Sequence, residues 1–114
     1  MSAYHLMVEG VIGTRHTPRE LMRFIREVAS PEHGIGMTII VGPTCVGARN
    51  HLTAYAIIAD SHIMVNEFTN GTITLDVFSC QPFTPSVPVD LAREWLDLQD
   101  GYVMRLLPRA GVGA

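Results

Sequence analysis

The chain has 114 residues, of which 47% are hydrophobic and 17% charged, so it can build one apolar core and is neither disordered nor long enough for several domains. Its formal net charge of −3 argues against nucleic-acid binding through a basic surface, and no apolar run approaches the roughly 18 residues that a membrane span needs. Without a secretory signal or the cysteines for a disulfide framework, it is predicted to be a soluble cytoplasmic domain that gains stability by dimerising.

The first part of the sequence predicts a strand, a helix and a second strand. Residues 4–12 form a mainly apolar, strand-like segment that ends at a glycine. Thr17, Pro18 and Glu20 fit the start of a helix, with a capping box and a proline in the first turn. One apolar stripe follows at helical spacing and consists of Leu21, Phe24, Ile25, Val28 and Ala29. The Ser-Pro pair at 30–31 ends the helix, and residues 36–41 predict the second strand.

The middle of the chain predicts three further strands. The Gly-Pro pair at 42–43 is expected to end the second strand and to open a loop that continues to residue 50. Residues 52–59 and 62–67 predict the next two strands, with Asp60 and Ser61 at their junction. A tight Asn-Gly turn precedes a fifth strand at 72–77, in which polar and apolar residues alternate. If that strand stays regular, it carries Phe78 and Cys80 on its polar face.

The last part of the sequence predicts a loop, a helix and a strand. Three prolines between residues 81 and 88 indicate the loop, and residues 89–98 predict a helix with Leu91, Trp95 and Leu98 on one stripe. Residues 101–107 predict the last strand. The order β-α-β-β-β-β-α-β predicts a single α+β domain spanning residues 1–114, a two-layer sandwich with helices on one face of a mostly antiparallel sheet.

Residue patterns alone do not identify a reaction. The five histidines show no metal-ligand spacing, and Cys45 and Cys80 are not part of a Cys-x-x-Cys motif, so no metal site is predicted. Ser61 and His62 are adjacent on a strand and therefore point to opposite faces, which argues against a nucleophile beside its base.

Two short motifs carry a family resemblance. Asp-Ser-His at 60–62, followed across a turn by Asp-Val-Phe-Ser-Cys at 76–80, resembles the prokaryotic S-adenosylmethionine decarboxylase proenzyme, which typically has Glu-Ser-His and Asp-Val-Phe-Thr-Cys. His5 and Glu9 match the opening His-x-x-x-Glu of that family, and residues 36–39 match its Gly-Ala-x-Ile strand. The resemblance extends over nearly the whole chain and is that of a diverged member.

The resemblance implies a pyruvoyl cofactor that the protein makes from its own backbone. Ser61 attacks the carbonyl of Asp60 to give an ester, and β-elimination then cuts the chain into residues 1–60 and 61–114. The dehydroalanine left at residue 61 hydrolyses to a pyruvoyl group, which binds the substrate amine as a Schiff base and accepts the electrons released with carbon dioxide. The implied enzyme is a homodimer of stacked sheets, and its product supplies spermidine and polyamine biosynthesis.

The resemblance also implies roles for individual residues. Cys80 occupies the position of the proton donor, and Thr53 that of a serine that assists processing. Glu9 stands where an acidic residue acts on the substrate side, and Asn66 where the family has its processing histidine. Glu67 is the displaced candidate for the acid that holds the ribose, because Phe-Thr-Asn replaces the usual Trp-Pro-Glu at 68–70.

Departures from the family pattern leave three hypotheses open. Asn66 cannot take a proton at neutral pH, Gly47 stands where an aromatic residue stacks on adenine, and Cys45 where a histidine is common. The chain is interpreted as an S-adenosylmethionine decarboxylase. The alternatives are a pyruvoyl-dependent decarboxylase of ornithine or arginine, and a non-cleaving, non-catalytic homologue that acts as a binding module. Activity on a basic amino acid distinguishes the first alternative, and an intact full-length mass the second.

Overall fold

In the computed structural model, residues 2–110 are described, with side chains for residues 4–108. The elements are β1 (Ser2–Val11), α1 (Pro18–Ala29), β2 (Ile39–Ala48), β3 (His51–Ile58), β4 (Ser61–Phe68), β5 (Thr72–Ser79), α2 (Ser86–Leu96) and β6 (Val103–Ala110). The predicted order of elements is confirmed.

The six strands form one sheet in the order β2-β3-β4-β5-β1-β6, in which all neighbours are antiparallel. Consecutive strands from β2 to β5 pair with one another, whereas β1 lies between β5 and β6. Helix α1 packs on β2, β3 and β4 and against α2. The predicted α+β class, with two layers and an antiparallel sheet, is confirmed.

Helix α1 forms where the capping residues predict it. The Thr17 hydroxyl accepts a hydrogen bond from the backbone N–H of Glu20 at 3.2 Å, and the Glu20 carboxylate accepts one from the Thr17 backbone N–H at 2.9 Å. These two bonds satisfy backbone donors that the first turn of a helix leaves free. The apolar stripe of α1 is fully buried against the sheet.

Side chains alternate between the two faces of the sheet. One face packs beneath α1 and is apolar, with Leu6, Ile63, Val65, Leu75 and Val77 buried. No described helix covers the other face, which we call the open face; it carries Thr53, Asn66, Thr74 and Glu9. The exposed apolar side chains of the open face are Val11, Val41, Val46, Ile57, Val103 and Leu107.

The loop predicted from residue 42 to residue 50 is wrong, because β2 continues to Ala48. Pro43, joined to Gly42 by a cis peptide bond, lies within the second of two shifts in the β2–β3 register, the one between Val41 and Thr44. Proline is tolerated there because β2 is the edge strand, where a residue without an N–H can interrupt the ladder at an irregularity.

The predicted boundaries at the C-terminal end also change. Helix α2 begins at Ser86, within the predicted loop, because Pro88 lies in the first turn, where a missing N–H costs little. The helix ends at Leu96, since Asp97 adopts a left-handed conformation with φ of 56°. Leu98 therefore lies beyond the helix and is buried through a bridge to Ile12. The last strand begins at residue 103 and continues to residue 110.

The longest helix described between residues 2 and 110 has 12 residues, and none of the described helices is long and apolar enough to cross a bilayer.

Candidate functional site

The Asp60–Ser61 junction lies in a tight hairpin between β3 and β4. Ile58 and Ser61 pair across the ladder, so Ala59 and Asp60 alone make the connection. Ser61 is the first residue of β4 and is buried with 2% exposure, whereas Asp60 is exposed. The Asp60–Ser61 peptide thus joins a solvent-facing turn to a buried position.

Cys80 lies directly against this junction. Its backbone N–H donates a hydrogen bond to the Ser61 hydroxyl oxygen at 2.9 Å, and its Sγ lies 4.0 Å from the carbonyl oxygen of Asp60. A hydroxyl, the preceding carbonyl and a thiol therefore meet in one place, although the thiol is distant in sequence. Cys80 therefore contacts both of the groups that an attack of Ser61 on Asp60 would join.

The end of β5 explains how Cys80 comes to this place. The strand stops at Ser79, whose hydroxyl donates to the Gln81 carbonyl at 2.7 Å and accepts from the Gln81 N–H at 3.0 Å. This local turn takes Cys80 out of the ladder and buries it at 6% exposure. The expectation that Cys80 lies on the polar face of a regular strand is therefore wrong, while Phe78 does lie there.

Thr53 and Asn66 form a second group, on the open face. The Thr53 hydroxyl donates to Asn66 Oδ1 at 2.6 Å, and Asn66 Nδ2 donates to the Thr74 hydroxyl oxygen at 3.1 Å. Asn66 lies five residues after Ser61 on β4, about 16 Å along the strand and on the opposite face. A single chain therefore brings Thr53 and Asn66 together but not to Ser61.

Glu9 extends this second group across the sheet. It is exposed and lies directly opposite Thr74 in the β1–β5 ladder. Glu9 also lines a cleft of about 130 Å³ with Met7, Val103 and Arg105. The acid is thus available to a ligand on the open face.

Glu67 lies at the far end of β4, on the face beneath α1. One carboxylate oxygen pairs with the ring Nδ1 of His16, and the other accepts from the His16 backbone N–H at 3.1 Å. Both side chains are almost fully buried. They line a cavity of about 250 Å³ together with Arg15 and His51. The cavity is about 20 Å along the strand from Ser61.

The buried pair of Glu67 and His16 has a testable effect on stability. We expect Glu67→Ala to lower the free energy of unfolding by about 3 kcal/mol, because it leaves the buried His16 ring and the His16 backbone N–H without their hydrogen-bond partner. Urea unfolding measures the change. Exposed Glu32→Ala is the control and should stay within about 0.5 kcal/mol of the parent. A similarly small change in Glu67→Ala would show that the pair contributes nothing.

A histidine cluster that the sequence did not reveal lies on the open face. His5 Nε2 is 3.2 Å from the Asp76 carboxylate, and the ring of His62 stacks on Phe78 with centroids 5.5 Å apart. His5 also meets the rings of His62 and Phe78 edge-on. Burial, and then the neighbouring His5, lower the pKa of His62, against an opposing effect of Asp76. Three strands contribute these side chains, so only the strand register brings them together.

The lowered pKa of His62 predicts the direction of a pH effect. As the pH falls through about 6.5, the unfolded chain binds a proton at residue 62 more readily than the folded chain does. The free energy of unfolding should therefore decrease with falling pH, and His62→Phe should reduce that decrease. Denaturant unfolding at about pH 7.5 and about pH 5.5 checks this. An equal decrease in parent and variant would contradict it.

Within residues 4–108, whose side chains are described, no group of three or more His, Cys, Asp or Glu side chains could hold a metal ion. Cys45 and Cys80 are both free thiols, and burial together with Glu67 raises the pKa of Cys45.

Comparison with known proteins supports the fold. No protein-family model matches the chain, and no curated protein matches it. Among solved structures, the chain is similar to the crystal structure of the adenosylmethionine decarboxylase from Aquifex aeolicus VF5, with a TM-score of 0.70 and 19% sequence identity. The match covers 94% of this chain and 89% of that one. The two proteins therefore share a fold, in agreement with the resemblance seen in the sequence.

Proposed function

We propose that this chain is a pyruvoyl-dependent decarboxylase that cleaves itself between Asp60 and Ser61 and then acts on S-adenosylmethionine, in the cytoplasm, for polyamine biosynthesis. The contacts of Cys80 with the Ser61 hydroxyl oxygen and with the Asp60 carbonyl oxygen carry this proposal. The shared fold with an adenosylmethionine decarboxylase supports the choice of substrate.

The residues at the junction fit the formation of a pyruvoyl group. Ser61 Oγ attacks the carbonyl carbon of Asp60, and the C–N bond between the two residues breaks as the C–O ester bond forms. Residue 61 then loses its Cα proton, and its Cβ–Oγ bond breaks. Oγ remains on Asp60 as part of a new C-terminal carboxylate. Hydrolysis of the remaining dehydroalanine releases ammonia.

Cys80 has a place in both stages of this proposal. Its N–H holds the Ser61 oxygen at the junction, and its thiol lies on the carbonyl that is attacked. Once formed, the pyruvoyl group would supply a carbonyl that accepts the electrons left behind when the substrate loses carbon dioxide. The Cys80 thiol, still beside residue 61, then delivers the proton that replaces the lost carboxyl group.

We further propose a homodimer in which the open faces of two copies stack. The exposed apolar side chains of this face form a surface that a second copy can bury. Asp60 is exposed, so a residue of another chain can approach it. In this arrangement Thr53 and Asn66 act on the junction of the second copy, since their own Ser61 is out of reach. Glu9 binds substrate from the open face, whereas Glu67 lines the separate cavity beside His16.

Intact-mass spectrometry tests the proposed cleavage. We expect the purified protein to separate into residues 1–60 and residues 61–114, the latter carrying a pyruvoyl group at its first residue. Hydroxylamine should increase the cleaved fraction because it attacks the ester. A single full-length mass in both conditions would contradict the proposal.

Asn66 gives a prediction about the cleavage rate. An amide can polarise a carbonyl but cannot accept a proton, so Asn66→His should accelerate self-cleavage, by about tenfold or more. The time course of the full-length band measures this. Thr38→Val, at an exposed position outside the sheet, serves as the neutral control. A slower or unchanged rate in Asn66→His would remove Asn66 from processing.

Specific residues favour each of the two alternatives. Gly47 is exposed and has no ring to stack on adenine, which favours a pyruvoyl decarboxylase of ornithine or arginine. Asn66 is hydrogen-bonded on both sides to threonines, which favours a non-cleaving binding module in which the amide is only structural. Carbon dioxide release from each substrate distinguishes the two decarboxylases. A mass that stays full-length would exclude both decarboxylases and support the binding module.

A further inference from the structure

The polar side chains at the centre of the open face form one straight row across four strands. The register places Thr53 opposite Asn66, Asn66 opposite Thr74, and Thr74 opposite Glu9. Directly opposed side chains have Cβ atoms about 5 Å apart, so each member of the row can reach the next.

The hydrogen bonds in this row all run in one direction. Thr53 donates its hydroxyl proton to Asn66 Oδ1, and Asn66 Nδ2 donates to the Thr74 oxygen. Because the Thr74 oxygen accepts, the Thr74 hydroxyl proton remains free to be donated. Its opposed neighbour, Glu9, has a carboxylate that only accepts. The row therefore leads from a donor on β3 to a natural acceptor on β1.

We infer that Thr74 is a positioning residue that orients the Asn66 amide and links it to Glu9. The inference rests on the proposed function, in which Asn66 and Glu9 belong to the working site. The Asn66 amide accepts a hydrogen bond at Oδ1 from Thr53 and donates one from Nδ2 to Thr74. Without the Thr74 hydroxyl, only Oδ1 would keep its partner. One N–H of the amide then remains to face a second molecule. Thr74 and Glu9 also line a common cleft of about 360 Å³ on the open face.

The decisive measurement does not depend on activity. In the intact Ser61→Ala background, NMR follows hydrogen exchange of the Asn66 side-chain amide. We expect Thr74→Val to accelerate this exchange about tenfold, because the acceptor of Nδ2 is lost while a β-branched residue keeps the strand. Thr74→Ser should restore the slow exchange, and Thr38→Val should leave it unchanged. Should Thr74→Val not fold, Thr53→Val opens the other end of the row and is expected to accelerate the exchange as well.

Self-cleavage provides the second measurement. With Ser61 present, Thr74→Val should cleave about tenfold more slowly than the parent, and Thr74→Ser at nearly the parental rate. If Thr74→Val changed the exchange rate of the Asn66 side-chain amide by less than about twofold relative to Ser61→Ala alone, the inference would be overturned, even if cleavage were slower. A parent that never cleaves would overturn the proposed function instead, while the exchange measurement would still decide the role of Thr74.

Discussion

Ser61→Ala should abolish both self-cleavage and decarboxylation. Without Oγ, no ester can form at the Asp60 carbonyl, and elimination has no leaving group, so the chain stays intact and no reactive carbonyl arises. The substitution removes one buried oxygen that accepts a single hydrogen bond, so the fold should survive. Denaturing electrophoresis, intact mass and carbon dioxide release measure the three consequences.

The control for Ser61→Ala is Ser86→Ala, which changes an exposed serine at the start of α2. It should cleave and turn over like the parent. Normal carbon dioxide release from Ser61→Ala would exclude a pyruvoyl group as the source of activity.

Cys80→Ala should separate cofactor formation from turnover. The backbone N–H that holds Ser61 Oγ is retained in this variant, so cleavage should still occur. Productive decarboxylation should fall by about a hundredfold or more, because the thiol that delivers the proton is missing. Intact mass reports the first outcome, and quantitation of the amine product reports the second.

Cys45→Ala is the matched control for Cys80→Ala, since it removes the other free thiol, which lies on β2. It should leave cleavage and turnover unchanged. If Cys80→Ala formed product at the parental rate, the thiol would not be the proton donor.

The sequence predicted what depends on neighbouring residues. Helix α1 follows from Thr17, Pro18 and Glu20, because a capping box uses residues within a single turn. The extension of β2 through Pro43 was missed, because proline is compatible only with an edge position, which the sheet order determines. The start of α2 was missed for a related reason. Three prolines in eight residues indicate a loop, but the structure places Pro88 in the first turn of a helix, where proline is tolerated.

The site shows the same division. The motifs at 60–62 and 76–80 indicated which residues meet, but the burial of Cys80 depends on β5 stopping at Ser79. The row from Thr53 to Glu9 and the contact of His5 with Asp76 depend on ladder register between distant segments, which spacing in a sequence does not encode. The partner of Glu67 was missed because His16 reaches it from the turn before α1.

The place of β1 in the sheet determines what the molecule becomes if the Asp60–Ser61 bond is cut. Residues 1–60 would retain β1, α1, β2 and β3, and residues 61–114 would retain β4, β5, α2 and β6. Because β1 is inserted between β5 and β6, and β3 pairs with β4, three of the five strand-to-strand ladders would join the two fragments. The fragments would be interlaced, and neither could leave the other without unravelling the sheet.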